Sequence, residues 1–320
     1  MSAEAAVEAT AVTATELATQ ATGPGPDRAG SDRAGSDRPG TAGALIRMFG
    51  DALAVEDIYS ERGSVLYDLL GGEDQQEITE LLSALGGTRR SVLELAAGSG
   101  RLTLPLLRHG HEVVALEKSP MMLRLLGAKA AAAGQGAGPL TLVEGDMSRF
   151  DLGRRFDAVV LGATSVSLLD AAGRAAMFGA VRRHLTPTGM FLFSTLQMRR
   201  GQMLAQPVRE NTHVLTVPAG DGPGGSMVVL VEWIDGPGQQ RLISAFRSEV
   251  DPAGTVDHRL FTSEVRLLDV ADLERELAAA GLTVAGREQI AGGREPDRST
   301  LLLRCVPSPD PDQDQDGARS

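Results

Sequence analysis

Three acidic side chains, each at the end of an apolar run, are the groups in this sequence best placed to hold a ligand. Glu94 lies in Val92-Leu93-Glu94-Leu95-Ala96-Ala97-Gly98-Ser99-Gly100, Glu117 follows 23 residues later with Lys118 beside it, and Asp146 stands in Glu144-Gly145-Asp146-Met147. Glycines let backbone pass close to a ligand, and a helix starting after them presents free N–H groups and the positive end of its dipole. A carboxylate ahead of the glycines repels a pyrophosphate but pairs with an ammonium group. Glu117 is suited to accept both hydroxyls of a ribose, Asp146 to accept from an exocyclic amine, and Met147 to pack on an adenine face. The dinucleotide fingerprint needs a further glycine three residues after its second, where this chain has Thr103.

The elements that must position these groups alternate. Short apolar runs at 91–95, 112–116, 140–143, 156–161 and 190–195 read as strands, and 101–107, 120–133 and 171–185 read as helices between them. Near-continuous apolar strands separated by helices predict a parallel sheet covered on both faces. Ligands of such sheets bind at the carboxyl ends of the strands, where all three acids fall. Upstream, 44–53, 64–70 and 74–85 carry apolar residues at helical spacing, the last two stopping at Gly-Gly pairs. Downstream, 227–234, 240–250 and 265–268 read as antiparallel strands separated by Gly/Pro-rich turns. A helix at 270–280 and strands at 282–288 and 300–306 complete the chain. The expected organisation is therefore a disordered arm (1–41), N-terminal helices forming a lid (42–90), a nucleotide-binding core (91–195), an antiparallel cap insert (196–268), the last helix and strands of the core (269–306), and a disordered acidic tail (307–320).

Charge and composition limit the function. The 320-residue chain carries a net charge of −11, which argues against wrapping a nucleic-acid backbone, a task for clustered Lys and Arg. No apolar run approaches the ~20 residues of a membrane span, and no basic-then-apolar start marks a secretory signal. One cysteine, Cys305, allows no internal disulfide and fits a reducing compartment, so the cytoplasm is the expected location. The five histidines have no metal-type spacing, and Gly98-Ser99-Gly100 is not the Gly-x-Ser-x-Gly elbow of serine hydrolases.

Residues 91–195 resemble the cofactor domain of class I S-adenosylmethionine-dependent methyltransferases. The family's first motif, an acid followed by alternating glycines, is matched by Glu94, Gly98 and Gly100. Ala96 stands where the first glycine is usual, a replacement tolerated if its φ is negative. The resemblance implies a Rossmann-like α/β fold and S-adenosylmethionine as cofactor. It assigns the ribose to Glu117 and the adenine side to Asp146 and Met147. The exit of the fourth strand, with Leu161 and Gly162, goes to the methyl-donor end, and an N-terminal tyrosine, Tyr59 or Tyr67, closes over the cofactor. The cap insert is similar to those of aminosugar and glycine N-methyltransferases. The runs 93–106 and 161–169 resemble actinobacterial natural-product methyltransferases, including those that methylate a peptide amine in daptide-type ribosomal peptide biosynthesis.

The implied reaction is N-methylation of a small-molecule or peptide amine. O-methylation of a natural product, an NAD(P)-dependent oxidoreductase and a non-catalytic cofactor-binding module are the alternatives. For the base that a hydroxyl acceptor needs, His258 in the cap is the first candidate, and Tyr67 is the second catalytic candidate. An exposed cap strand pairing across a two-fold axis would make the protein a homodimer.

Overall fold

The computed structural model describes residues 38–71, 77–134, 138–198, 205–218, 225–250, 254–290 and 298–309. A seven-stranded sheet forms the core, in the order β11-β12-β6-β5-β2-β3-β4. Its strands are β2 (Ser91–Leu95), β3 (Glu112–Glu117), β4 (Leu140–Glu144), β5 (Phe156–Leu161), β6 (Leu185–Met198), β11 (Leu282–Gln289) and β12 (Arg298–Pro307). Strands β2 to β6 pair in parallel, and β12 runs antiparallel to both its neighbours. The fold is thus the mixed, mostly parallel α/β sheet that the apolar runs predict.

Those runs are continuous because alternate residues serve two layers. On one face Leu93, Leu161, Phe191 and Phe193 pack with Met177 and Phe178 of α6 (Ala171–His184). On the other, Val92, Val160 and Leu192 pack with Ile78, Leu81 and Leu85 of α3 (Ile78–Leu85) and Leu106 of α4 (Thr103–Arg108). Helix starts follow local chemistry. Ser119 caps α5 (Pro120–Ala132), with proline first inside it. Asp170 accepts the Gly173 N–H at 2.7 Å to start α6, and Asp269 accepts from Ala271 to start α7 (Val270–Ala279). Each is a side-chain oxygen on an otherwise unpaired first-turn donor.

A second sheet lies over the strand ends, in the order β1-β10-β9-β8-β7. It is made of β1 (Leu53–Asp57), β7 (Val208–Pro218), β8 (Gly225–Asp235), β9 (Gln240–Val250) and β10 (Val256–Arg266). It differs from the expected insert in two ways. It begins before the core, because β1 joins it parallel to β10. It is also larger, with β7 unforeseen and β10 starting nine residues before 265. Helix α1 (Gly40–Phe49) covers one face, packing Leu45, Ile46 and Phe49 on Leu53, Leu242 and Leu260. Helix α2 (Glu61–Gly71) covers the other, packing Leu66 and Leu70 on Val228, Ala245 and Phe261.

Residues 1–37 of the expected arm and 310–320 of the expected tail lie outside the described residues. Residues 38–41 belong to the fold: the Thr41 N–H donates to Glu210 of β7 at 2.8 Å, and α1 begins at Gly40. Pro307 likewise ends β12. Among the described residues no helix is long and apolar enough to cross a membrane.

Glu232 clamps the two sheets together. This buried β8 carboxylate accepts from Arg241 of β9 and, at 2.8 Å, from Arg298 of the core strand β12. Burial alone would raise its pKa, but the two guanidiniums outweigh burial and lower it below 4.5. A depressed folded-state pKa contributes stability above the unfolded pKa and loses it as pH falls. Glu232→Gln should therefore destabilise the protein by roughly 1.5–3 kcal/mol at neutral pH, because it replaces a charged acceptor of two guanidiniums by a neutral amide. It should also flatten the decline in stability below pH ~4.5. Urea denaturation across pH measures both.

Candidate active site

Between the strand ends of the core and the second sheet lies a cavity of about 1170 Å³. Its floor is the turn after β2. Gly98 (φ 56°) and Gly100 (φ 97°) adopt left-handed backbone. A Cβ on Gly98 would meet nothing within 4 Å, so this backbone lies open to the cavity. At Gly100 a Cβ would come within 2.4 Å of Leu126, so glycine there permits close packing against α5. Ala96 is left-handed as well, at φ 50°, which corrects the expectation of a negative angle. A non-glycine residue in this region carries roughly 1–2 kcal/mol of steric cost.

Glu117 organises the turn. One carboxylate oxygen accepts the Gly98 N–H at 2.9 Å, and the other accepts the Ser119 N–H at 2.8 Å. Both turns are thereby held next to the end of β3. Glu94 is buried beneath the same turn and accepts from the Thr103 hydroxyl at 2.6 Å. Burial pushes its carboxyl up to about 8, against the pull of Thr103 and Arg101. Asp146 behaves oppositely. The Ser148 hydroxyl at 2.6 Å, the Ser148 N–H at 2.8 Å and Lys118 at 3.1 Å hold its carboxyl down at about 2, despite partial burial. Lys118 is largely exposed, so that ion pair adds little stability.

A lid closes one side. From α2, Asp68 binds the Ser99 hydroxyl and Lys129, and the Ser64 hydroxyl lies 3.2 Å from that of Ser119. The rings of Tyr59 and Tyr67 are 5.6 Å apart and both line the cavity. Tyr59 is 36% exposed, and its phenol bonds to Ser263. Burial first, then Tyr67 and Asp57, raise its pKa, so the phenol stays a donor. Behind the floor, Glu77 accepts from Arg101 and, at 2.6 Å, from the Ala163 N–H, tying the start of α3 to the loop after β5.

Of the residues singled out in the sequence, the cavity brings together Glu94, Ala96, Gly98, Glu117, Lys118, Asp146, Met147, Gly162, Tyr59 and Tyr67. Gly100 supports the turn from behind, and Leu161 is fully buried in the core. His258 stands apart. It lies on β10, bonded to the Ser248 hydroxyl at 2.7 Å and packed against the rings of Phe49 and Phe246, and it is not among the lining residues. The base assigned to it is withdrawn on that geometry. The cap side is lined instead by Arg38, Glu56, Asp57, Ser263 and Glu264. The sequence pattern missed the four acidic and serine residues because the strands that carry them, β1 and most of β10, are polar where they reach the cavity, and it missed Arg38 because that residue precedes the first helix.

The floor suits a nucleoside-type ligand with an ammonium end: open glycine backbone, a buried acid below it, and acids at the ends of β3 and β4. Comparison with known proteins agrees. A family profile described as a methyltransferase domain matches residues 92–189. The glycopeptide N-methyltransferase MtfA is 30% identical, with 85% of this chain and 99% of MtfA aligned at a TM-score of 0.55. The sugar N-methyltransferase KedS8 from Streptoalloteichus sp. ATCC 53650 is 26% identical, over 76% of this chain and 93% of that protein, at 0.57. A ribosomal RNA small subunit methyltransferase A from Anaeromyxobacter sp. (strain K) is 33% identical over 150 residues, 44% of this chain. The chain spans 46% of that curated relative's length. The chain belongs to the class I S-adenosylmethionine-dependent methyltransferases, and S-adenosylmethionine is its cofactor.

Two measurements test the floor. Ala96→Gly should raise stability by about 1 kcal/mol by relieving the left-handed backbone; an unchanged urea midpoint would show that the lost methyl packing offsets the strain. Glu117→Gln should weaken S-adenosylmethionine binding by roughly 1–3 kcal/mol, since an amide replaces a charged acceptor. Calorimetry reads this directly.

Proposed function

We propose that this protein N-methylates a small-molecule or peptide amine of secondary metabolism, with Glu94, Gly98, Glu117, Asp146 and Met147 holding the cofactor and the cap side holding the acceptor. The observation that carries this reading is the set of titratable groups on the cap side. Among the described residues these are four carboxylates (Glu56, Asp57, Glu61, Glu264), two tyrosines of which Tyr59 is held protonated, and Arg38, with no histidine lining the cavity. Glu56 is paired with Arg259, and Glu61 with Arg124 at 2.9 Å. Asp57 accepts only a backbone N–H, from Tyr59 at 2.7 Å.

Bound S-adenosylmethionine supplies an activated methyl on a positively charged sulfur. The protein's part is to orient the acceptor, exclude water and stabilise the ammonium that forms, and orientation alone can lower the barrier by roughly 7–11 kcal/mol in the best cases. Asp57 and Glu264 attract an amine and accept hydrogen bonds from its N–H groups, which aims the nitrogen lone pair away from them. They also stabilise the ammonium that forms as the methyl is transferred, and that ammonium returns its proton to solvent. A carboxylate is far too weak a base to ionise an alcohol, so the same groups serve an amine better than a hydroxyl.

MtfA and KedS8 are both N-methyltransferases, which supports the amine reading. Acidic walls and a net charge of −11 oppose a polyanionic RNA acceptor, although one relative is a ribosomal RNA methyltransferase.

The test offers purified protein and S-adenosylmethionine a panel of matched amines and alcohols, and locates transferred methyl by mass spectrometry. Methyl on nitrogen is expected. With the best amine, Asp57→Asn combined with Glu264→Gln should lower kcat/KM by at least about 10²-fold and leave cofactor affinity intact. Transfer to alcohols alone would overturn the reading.

A further inference from the structure

Arg38 lines the cavity, but its guanidinium nitrogen Nη1 is buried with no hydrogen-bond partner among the described residues. A buried donor left unmet costs roughly 1–3 kcal/mol, and more when it is charged. Arg38 thus brings an incompletely paired guanidinium to the wall of a cavity whose cap-side charges are otherwise carboxylates.

Register shows what surrounds it. On β1 and β10, Asp57 lies opposite Thr262, and Val55 opposite Leu260. Side chains alternate along a strand, so Val55, Asp57, Thr262 and Glu264 share the face of the second sheet that α1 covers. All four line the cavity. The chain entering α1 crosses this same face. Thr41 is held by Glu210, and a Cβ on Gly40 would touch Trp233, the residue paired with Glu210. Arg38 precedes this crossing and lines the same cavity as Asp57 and Glu264. On β9, Ser244 lies opposite Thr262, and its buried hydroxyl also lacks a partner.

We propose that Arg38 binds a carbonyl or carboxylate oxygen next to the amine being methylated, which makes the acceptor an α-amino acyl group. The lining of one cavity carries both charges: carboxylates for the nitrogen, and a planar guanidinium whose forked donors match a carbonyl or carboxylate oxygen. An amine without that oxygen would leave the guanidinium without this partner and bind less well. This assignment rests on the N-methylation reading and narrows its acceptor.

The test uses full-length protein saturated with S-adenosylhomocysteine and calorimetry with four probes. Alanine and alaninamide carry the oxygen, as a free amino acid and as a peptide mimic; isopropylamine lacks it; glucosamine replaces it with hydroxyls. One or both acyl probes should bind at least about ten-fold tighter than isopropylamine and glucosamine, a difference worth about 1.4 kcal/mol. Whichever acyl probe binds tighter identifies the source. Arg38→Gln should collapse the ratio to near one without changing S-adenosylhomocysteine affinity, and Arg38→Lys should restore only part of it. If Arg38→Gln fails to fold, the wild-type ratio and the lysine variant decide. Equal binding of isopropylamine, a ratio preserved in Arg38→Gln, or no binding of any probe overturns the proposal. The N-methylation reading fails separately: if serinamide shows the Arg38-dependent preference but takes its methyl on oxygen, Arg38's role stands and the amine assignment falls.

Discussion

Glu117 holds two turns at once, one carboxylate oxygen on the Gly98 N–H and the other on the Ser119 N–H. The first turn opens the backbone that floors the cavity, and the second starts α5, on which α2 rests through Val65, Met121 and Met122. The lid, floor and first parallel crossover thus share one anion. The carboxylate also lines the cavity, so the group that fixes the floor is available to a ribose. Structural and ligand-binding roles thus fall on one side chain.

The three acids that mark the cofactor side have different electrostatic fates. Glu94 is driven toward its neutral form by burial, Asp146 is kept ionised by Ser148 and Lys118, and Glu117 is tied to backbone. Type and position in the sequence are the same for all three, an acid at a strand end. What separates them is how much water and how many donors the fold leaves around each. The cap side adds a second acidic set from β1 and β10, supplied by parts of the chain on either side of the core.

The core was legible because burial on both faces of a parallel sheet leaves little choice of residue: 91–95 and 156–161 read as they fold. The second sheet was less so. Leu53 completes an apolar stripe begun at Leu45, so β1 looked like the end of a helix. Strand β7 is an edge strand exposed along most of its length, which removes the apolar alternation that a sequence pattern needs. Strand β10 carries Asp257, His258 and Arg259 in succession, and this polar start hid the strand and made His258 look like a loop residue open to the cavity. Ala96 misled in another way: the residue type argued for an ordinary backbone angle, but the turn imposes a left-handed one. The cofactor acids were found because each follows a recognisable strand. Arg38 and Asp57 were not, since only tertiary pairing brings them to the cavity.

The parallel union of β1 with β10 sets an order of assembly. Glu56 meets Arg259 across 203 residues, and Thr41 meets Glu210 across 169. The turns that floor the cavity are closed by partners such as Gly98 and Glu117, only 19 residues apart. Distant pairings must await loop closure and form slowly, and a chain emerging from the ribosome folds its early portions first. A nascent chain therefore acquires a nucleoside-binding floor well before β10 has been made. Until then the ordered segment around β1 has no sheet to join, and the acceptor lobe is the last working part of the molecule to come into being.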